Sequence, residues 1–358
     1  MNERYARLAV YFSPYDLDTS PTEPRALFLF SSNPETDFMA TDLSTEHQPL
    51  GDLFSRPESP EEWQQYALSD EQVDFFKENG YVAGVPLLDD EQIQTLRDEL
   101  ERFFDPDHDG RDLWYEYHAN ESSSDDSVLF HSLGAWRISK AFHDVLWNPS
   151  FLVPASQLLT AVADESAFAS NGALPQHNGK APVRFWHDQL FCKPARHGGV
   201  VAWHQDYSYW TRTHPMAHLT CWTGLDRATT ENGCMHYVPG SHRWDLLPLT
   251  DLADNMEAIH DVLSDEQEAQ FDPVPIELEA GEATFHHPRL VHGSYENRSD
   301  RPRRGLVLNV IRDGVQSATD EHILEGVPAI PEGEKMEGQF FPLLFDPQEA
   351  EQREAQTA

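Results

Sequence analysis

The chain is poor in cysteine and lysine: 358 residues hold three cysteines, Cys192, Cys221 and Cys234, and five lysines. An odd number of cysteines without regular spacing argues against a disulfide framework and against a cysteine-based zinc site. No apolar run reaches the roughly 20 residues that a membrane-crossing helix requires. The opening segment, MNERYARLAVYF, lacks the basic start, apolar stretch and small-residue cleavage site of a secretory leader. A soluble cytoplasmic protein is therefore expected. Positive charge is scarce as well. Against 62 Asp plus Glu stand 25 Lys plus Arg, a formal net charge of −37. That balance disfavours nucleic acid and anionic membranes as partners, because both require a basic face.

What is present supports a packed fold. Hydrophobic residues make up 39% and aromatics 11% of the chain, enough to build a core in spite of the acid. An acidic, lysine-poor surface resembles that of proteins from salt-accumulating cells, where screening relieves self-repulsion. A halophilic protein is the expectation.

Residues 1–65 are rich in Pro, Ser, Thr and acid and read as a partly irregular extension, with RALFLFSS as one possible strand. Helical signals follow. Ser69 and Gln72 make a capping-box pattern, and Gly80 is placed to end that helix. A second helix starts after Asp89, repeats Ile93, Leu96, Leu100 and Phe103 at helical spacing, and stops before Pro106. Residues 107–127 read as a long polar loop, either a lid or a solvated insertion. Residues 149–163 read as a third helix. From 183 the period changes to two. VRFWHDQLFCKP, VVAWHQDYSYW, AHLTCWTGLD, CMHYVPGSH, GEATFHHP and GLVLNVIRD are strands separated by Gly, Pro and Asn turns. Serial short strands without intervening helices predict an antiparallel sandwich or jelly roll. The working division is an extension over 1–65, one domain over 66–342 and a frayed or weakly helical tail over 343–358.

AWHQDYSYW carries the chemistry. On a strand, residues two apart share a face, so His204 and Asp206 present an imidazole and a carboxylate side by side. A second imidazole from a distant strand would complete a two-histidine, one-carboxylate triad, the set that binds iron(II) and leaves positions open. His292 is the first choice, because Gly293 and Ser294 leave room beside it. His286 and His287 compete for the role but precede Pro288 and lack small neighbours. His118, His187, His236 and His242 read as ordinary polar or packing residues. The turn after His292 is arginine-rich, and an arginine there could clamp a dicarboxylate through two parallel hydrogen bonds. Trp203, Tyr207, Tyr209 and Trp210 flank the ligands, and alternation sends about half of them to the core.

With WHQD at 203–206, CWTGLDRATTENGCMHYVPGSH at 221–242 and HGS at 292–294 followed by arginine, the chain resembles the phytanoyl-CoA dioxygenase family of iron(II)/2-oxoglutarate oxygenases over roughly residues 70–315. The resemblance implies a mainly β double-stranded β-helix, or jelly roll, with flanking N-terminal helices. It also implies iron(II) as cofactor, 2-oxoglutarate as co-substrate, and a small organic substrate hydroxylated with O2 to give succinate and carbon dioxide. In that family the distal ligand and the 2-oxoglutarate arginine lie eleven residues apart, which selects Arg303 over Arg301 and Arg304. Trp222 should lie along the 2-oxoglutarate, and Ser294 should join Arg303 on its far carboxylate. Gln189, in QLFCKP, falls where the family lines the pocket, and Arg137 is a possible second basic contact. The alternatives are a catalytically silent jelly-roll binding module and a cupin-type metalloenzyme that needs no 2-oxoglutarate. Arg303 and Ser294 discriminate against the latter.

Overall fold

The computed structural model describes residues 40–122, 126–163, 165–168, 172–249 and 255–352. The RALFLFSS segment lies outside them. In chain order the helices are α1 (Pro60–Gln64), α2 (Asp70–Asn79), α3 (Asp90–Phe103), α4 (Lys140–Asp144), α5 (Pro149–Val162), α6 (Asp265–Gln270) and α7 (Pro347–Gln352). The strands are β1 (Tyr81–Pro86), β2 (Glu116–His118), β3 (Phe130–Leu133), β4 (Val183–Lys193), β5 (Val201–His204), β6 (Thr213–His214) and β7 (His218–Gly224). They continue with β8 (Met235–Tyr237), β9 (Val274–Ile276), β10 (Glu282–His286), β11 (His292–Ser294), β12 (Arg303–Arg312), β13 (Gln316–Ser317) and β14 (Leu343–Phe345).

The expected helices form with the expected caps. The Ser69 hydroxyl accepts from the Gln72 amide while the Gln72 side chain accepts from the Ser69 amide, and Asp89 and Gln92 repeat the arrangement at α3. Gly80 ends α2 at φ 83°, a left-handed conformation that glycine adopts without the usual Cβ clash. Among the described residues, no helix is long and apolar enough to cross a membrane.

Two antiparallel sheets face each other. The larger has the order β1-β10-β7-β12-β4-β3-β2, with β14 added on β4; the smaller has the order β5-β11-β8-β9. The fold is a jelly roll. Alternation along each strand divides its side chains between two destinations. On β12, Leu306, Leu308 and Val310 enter the core beneath the helices, while Arg303 and Val307 face the cavity between the sheets. On β7, Leu219 and Cys221 go to the helix side, and Thr220 and Trp222 go to the cavity. Helix α5 lies across β4, β7 and β12 and covers the apolar face of the large sheet.

Three expectations change. The tail opens on strand β14 ahead of its expected helical stretch, α7, because Leu344 and Phe345 are buried and Phe345 packs on Trp63 at 5.2 Å between ring centroids. A three-residue strand is too short to give a periodic signal. Residues 107–127 hold a 3-10 turn at Arg111–Leu113 and strand β2, which pairs with β3. That segment is anchored by Tyr117, whose hydroxyl donates to the Phe103 carbonyl at 2.8 Å, and by Trp114 packed edge-on against Phe103. Its aromatics are hidden in the sequence among acids and serines. Finally, the strand through VVAWHQDYSYW ends at His204, and Asp206–Ser208 is a 3-10 turn. The turn forms because the buried Gln205 side chain spans to the Arg289 carbonyl and the Leu247 amide, both at 2.8 Å. Gln205 itself remains extended, so His204 and Asp206 still share a face.

Candidate metal centre and its cavity

His292 on β11 lies directly opposite His204 on β5, with ring centroids 4.2 Å apart. Each imidazole is tied to a carbonyl two residues back along the chain. His204 Nδ1 donates to the Ala202 oxygen at 2.8 Å and His292 Nδ1 to the Leu290 oxygen at 2.9 Å. Those hydrogen bonds place the proton on Nδ1 and leave the Nε2 lone pair of both rings free. Both Nε2 atoms face the same oxygen, Asp206 Oδ1, at 3.4 Å and 3.5 Å. Of the described His, Cys, Asp and Glu side chains, His204, Asp206 and His292 form the single group able to hold an ion, with ligand atoms within 4.8 Å of one another.

The second carboxylate oxygen of Asp206 is held separately. The Thr220 hydroxyl donates to Oδ2 at 2.7 Å and His286 Nε2 donates to it at 3.1 Å. His286 Nδ1 in turn accepts from the Tyr237 hydroxyl at 3.1 Å. His286 is therefore a support of the carboxylate, not a competing ligand. Its neighbour His287 points elsewhere, accepting from the Arg289 amide and packing on His242. Protonation suits a cation. Burial alone would raise the Asp206 carboxyl, but the surroundings, with His286 Nε2 donating to it, outweigh burial and hold the group well below the usual carboxylate range. Burial, reinforced by His204, pushes His292 well below the usual histidine range, so its ring is neutral. One carboxylate and two imidazoles with free Nε2 atoms fit a borderline divalent metal such as iron(II).

The same cavity holds Arg303, 1% exposed. Its guanidinium donates to the carbonyls of Gly233 (2.9 Å and 3.2 Å) and Phe191 (3.4 Å), and to Ser294 Oγ (3.4 Å). No carboxylate pairs with it among the described residues. Burial lowers its pKa to about 10. The ring of Trp222 lies 5.1 Å beneath the guanidinium carbon, and Gly305 makes room for that indole, since a Cβ there would sit 2.7 Å from Trp222 Cζ2. The flanking arginines point elsewhere, Arg304 by alternation and Arg301 because it precedes the strand. Arg304 is paired with both oxygens of Asp226 at 2.8 Å and 2.9 Å and with Glu101 at 3.0 Å, and the Arg301 side chain is 82% exposed. Arg137 is spent on Asp42 and the Leu113 carbonyl and does not line the cavity.

Lys193 was not expected at this site. It is fully buried, and its ammonium donates to Ser294 Oγ at 2.7 Å, to the Ser294 carbonyl at 3.2 Å and to the Tyr295 carbonyl at 2.6 Å. Ser294 Oγ thus accepts from Lys193 and Arg303 together, which leaves its own O–H to donate elsewhere. Burial, with Arg303 adding to it, pushes Lys193 well below its usual range. A lysine directly following Leu190, Phe191 and Cys192, in a chain with five lysines, was the available signal.

The cavity measures about 320 Å3 and takes its walls from both sheets. His204, Asp206, His292, Ser294, Arg303, Trp222 and Gln189 all line it. So does His187, expected to be an ordinary polar residue. Of the four aromatics near the ligands, Tyr209 and Trp210 reach the cavity. Trp203 packs with Val238 and Val291 in a separate core, and the Tyr207 hydroxyl donates to the Thr213 carbonyl.

Comparison with known proteins gives these features a family. A profile of phytanoyl-CoA dioxygenase matches residues 76–305. The chain belongs to the phytanoyl-CoA dioxygenase family. It is 28% identical over 281 residues to "Phytanoyl-CoA dioxygenase" of Arabidopsis thaliana, covering 72% of this chain and 94% of the relative. It is 26% identical over 256 residues to "Methylphosphonate hydroxylase" of Gimesia maris, covering 69% and 83%. The solved structure of SnoN, a non-heme alpha-ketoglutarate-dependent epimerase of nogalamycin biosynthesis, superimposes with TM-score 0.58 at 22% identity, covering 77% of this chain and 98% of that one. At that identity the shared property is the fold.

Proposed function

We propose that this chain is an iron(II)- and 2-oxoglutarate-dependent oxygenase that hydroxylates a small organic substrate, with succinate and carbon dioxide as co-products. The observation that carries the reading is the pairing, in one cavity, of the His204–Asp206–His292 group with a buried guanidinium that lacks an acid. With iron(II) bound, O2 would supply the oxidising power, taking two electrons from 2-oxoglutarate and two from an unactivated C–H bond of the substrate. The chain supplies position and exclusion of water. His204 and His292 offer Nε2, aimed by their Nδ1 bonds to the backbone. Asp206 offers Oδ1 while Thr220 and His286 hold its other oxygen. Arg303 and the Ser294 hydroxyl would receive the far carboxylate of 2-oxoglutarate, with Lys193 fixing the direction of that hydroxyl. Trp222 would lie along the chain of the dicarboxylate, and Gln189 would line the substrate side.

A cupin-type enzyme working without a dicarboxylate has no use for Arg303, whose charge is buried with no counter-ion among the described residues, a cost that an incoming anion would offset. The named substrates of the relatives, an acyl-CoA and a phosphonate, differ enough that neither transfers to this chain. The excess of acid further favours a cytoplasm of high salt as the working environment. The test is succinate formation from 2-oxoglutarate by the purified protein. It should require iron(II), should not occur with zinc, and should be stimulated by the true substrate. Stoichiometric metal binding without any 2-oxoglutarate turnover would make the protein a binding module.

A further inference from the structure

Three charged side chains on the cavity wall, Glu116, Glu121 and Arg212, have no part in the proposed reaction. The Glu121 side chain is 23% exposed, and its Oε2 lies 2.7 Å from His131 Nδ1. Glu116 lies 3.7 Å from His118 Nε2. Neither acid meets a lysine or arginine among the described residues. Burial alone would raise Glu121, but the neighbouring His131 outweighs it, and the carboxyl titrates below its ordinary value. It is an ionised carboxylate, largely removed from water, whose partner is an imidazole and not a fixed cation. Such a charge is costly until a counter-charge arrives.

The surrounding wall suits a cation. His131 stacks on Phe191 at 4.2 Å between ring centroids, and Trp186, Tyr209 and Trp210 line the same cavity. Aromatic faces attract ammonium groups through the ring quadrupole. A chain of polar contacts runs along the wall from Glu121. His131 Nδ1 lies 2.7 Å from Glu121 Oε2, Gln189 Nε2 donates to His131 Nε2 at 3.4 Å, and Asn309 Nδ2 donates to Gln189 Oε1 at 3.2 Å and to His187 Nδ1 at 3.3 Å. With Nδ1 accepting, the neutral His187 ring carries its proton on Nε2 and offers the cavity a donor. Burial keeps that ring neutral, lowering its pKa to about 4.

We propose that the substrate is a small organic ammonium compound bearing an oxygen acceptor, with its cation received at the Glu116–Glu121 wall and its oxygen by His187. The inference rests on the oxygenase reading and names the substrate class of that same cavity. Arg212 donates to the carbonyls of His322 (2.7 Å) and Ile323 (3.1 Å) and faces no acid among the described residues. An anionic substituent on the same molecule would find its counter-charge there, so a zwitterion fits. A CoA thioester, polyanionic through its phosphates, meets a chain of net charge −37 and is disfavoured.

The experiment is equilibrium binding to metal-free protein, read by quenching of tryptophan fluorescence at constant potassium chloride. Choline and ethanolamine are the probes. Their controls are the uncharged isosteres, with tert-butyl for trimethylammonium and methyl for ammonium. At least one cation should bind about tenfold or more tightly than its isostere, and Glu121→Gln should remove most of that preference. If Glu121→Gln unfolds, as judged by thermal melting, Glu116→Gln carries the same expectation in smaller measure. Equal binding of cations and isosteres overturns the proposal, as does a preference that survives both substitutions. Iron-dependent turnover of 2-oxoglutarate by the unsubstituted protein is scored separately. Turnover without cation preference defeats this inference alone, and cation preference without turnover defeats only the oxygenase reading.

Discussion

The two ends of the cavity break the rule of charge pairing in opposite senses. Where β11 meets β12, Arg303 and Lys193 are buried side by side and bonded to neutral oxygens of Gly233, Phe191, Ser294 and Tyr295. At the β2–β3 edge, Glu116 and Glu121 meet imidazoles and no fixed cation. Carboxylates are plentiful in this chain, 62 of them, and Arg304, one residue from Arg303, is fully paired with Asp226 and Glu101. The absence of an acid beside Arg303 therefore has no explanation in supply. Neutral carbonyls satisfy the N–H groups without cancelling the charge, so the positive field stays available to a dianion. The contrast teaches that each end is finished only when its ligand is bound, an anion at one and a cation at the other.

The largest break in this comparison comes from the metal group lying between the two ends. His292→Ala should abolish both iron binding, measured by calorimetry, and turnover. His286→Ala should weaken metal affinity by about 10–100-fold, the usual effect of removing a support behind a ligand. If the two variants exchange these outcomes, the ligand assignment is wrong.

Next comes the cationic end. Arg303→Ala should raise the Michaelis constant for 2-oxoglutarate by about thirtyfold or more, since truncating one member of a buried charge pair costs on the order of 2–5 kcal/mol. Arg303→Lys should recover only part, because an ammonium cannot supply two parallel bonds. Arg304→Ala should leave that constant nearly unchanged and lower thermal stability instead, as Asp226 loses its bidentate partner. A large 2-oxoglutarate defect in Arg304→Ala would show the strand register to be off by one.

A smaller effect concerns acid. Burial lowers His187 and His242 to about 4 and His218 to about 3 from an ordinary value of 6.5. The unfolded chain then binds more protons than the folded one below pH 6.5. The stability held by these rings is present above that pH and is lost as pH falls toward 4. His218→Asn should flatten the decline in unfolding midpoint over that window, and an unchanged slope would mean His218 titrates normally. The smallest expected effect is general. Molar potassium chloride should raise the unfolding midpoint by screening the excess acid, and a flat or falling midpoint would remove the case for a high-salt environment.

Local patterns made much of this legible in advance. The capping boxes at Ser69 and Asp89 announce two helices, and period-two alternation separates Val307 from Leu308 and Trp222 from Cys221 before any coordinates. The same alternation places His204 beside Asp206, whereas Arg303 was selected from its neighbours through the family resemblance. Pairing across the sheets is not legible in that way. His286 supports Asp206 because β10 pairs with β7 and so brings Thr220 and His286 together on one carboxylate. His187 and Lys193 matter because β4 lies beside β12. The contacts of His286 with Asp206 and of Asn309 with His187 join residues 80 and 122 positions apart, and no local pattern encodes them. Strands β2 and β14 were missed for a different reason, their brevity.

The opposition of His204 and His292 across β5 and β11 carries one further consequence, for assembly. Each imidazole is already oriented by its own strand, so one variable remains, the alignment of two short strands that are themselves only four and three residues long. A slip of a single position would turn one ring to the other face of its sheet and take the three ligand atoms apart. An ion bound there recognises only the correct alignment and stabilises it by mass action, so the metal proofreads the closure of the smaller sheet.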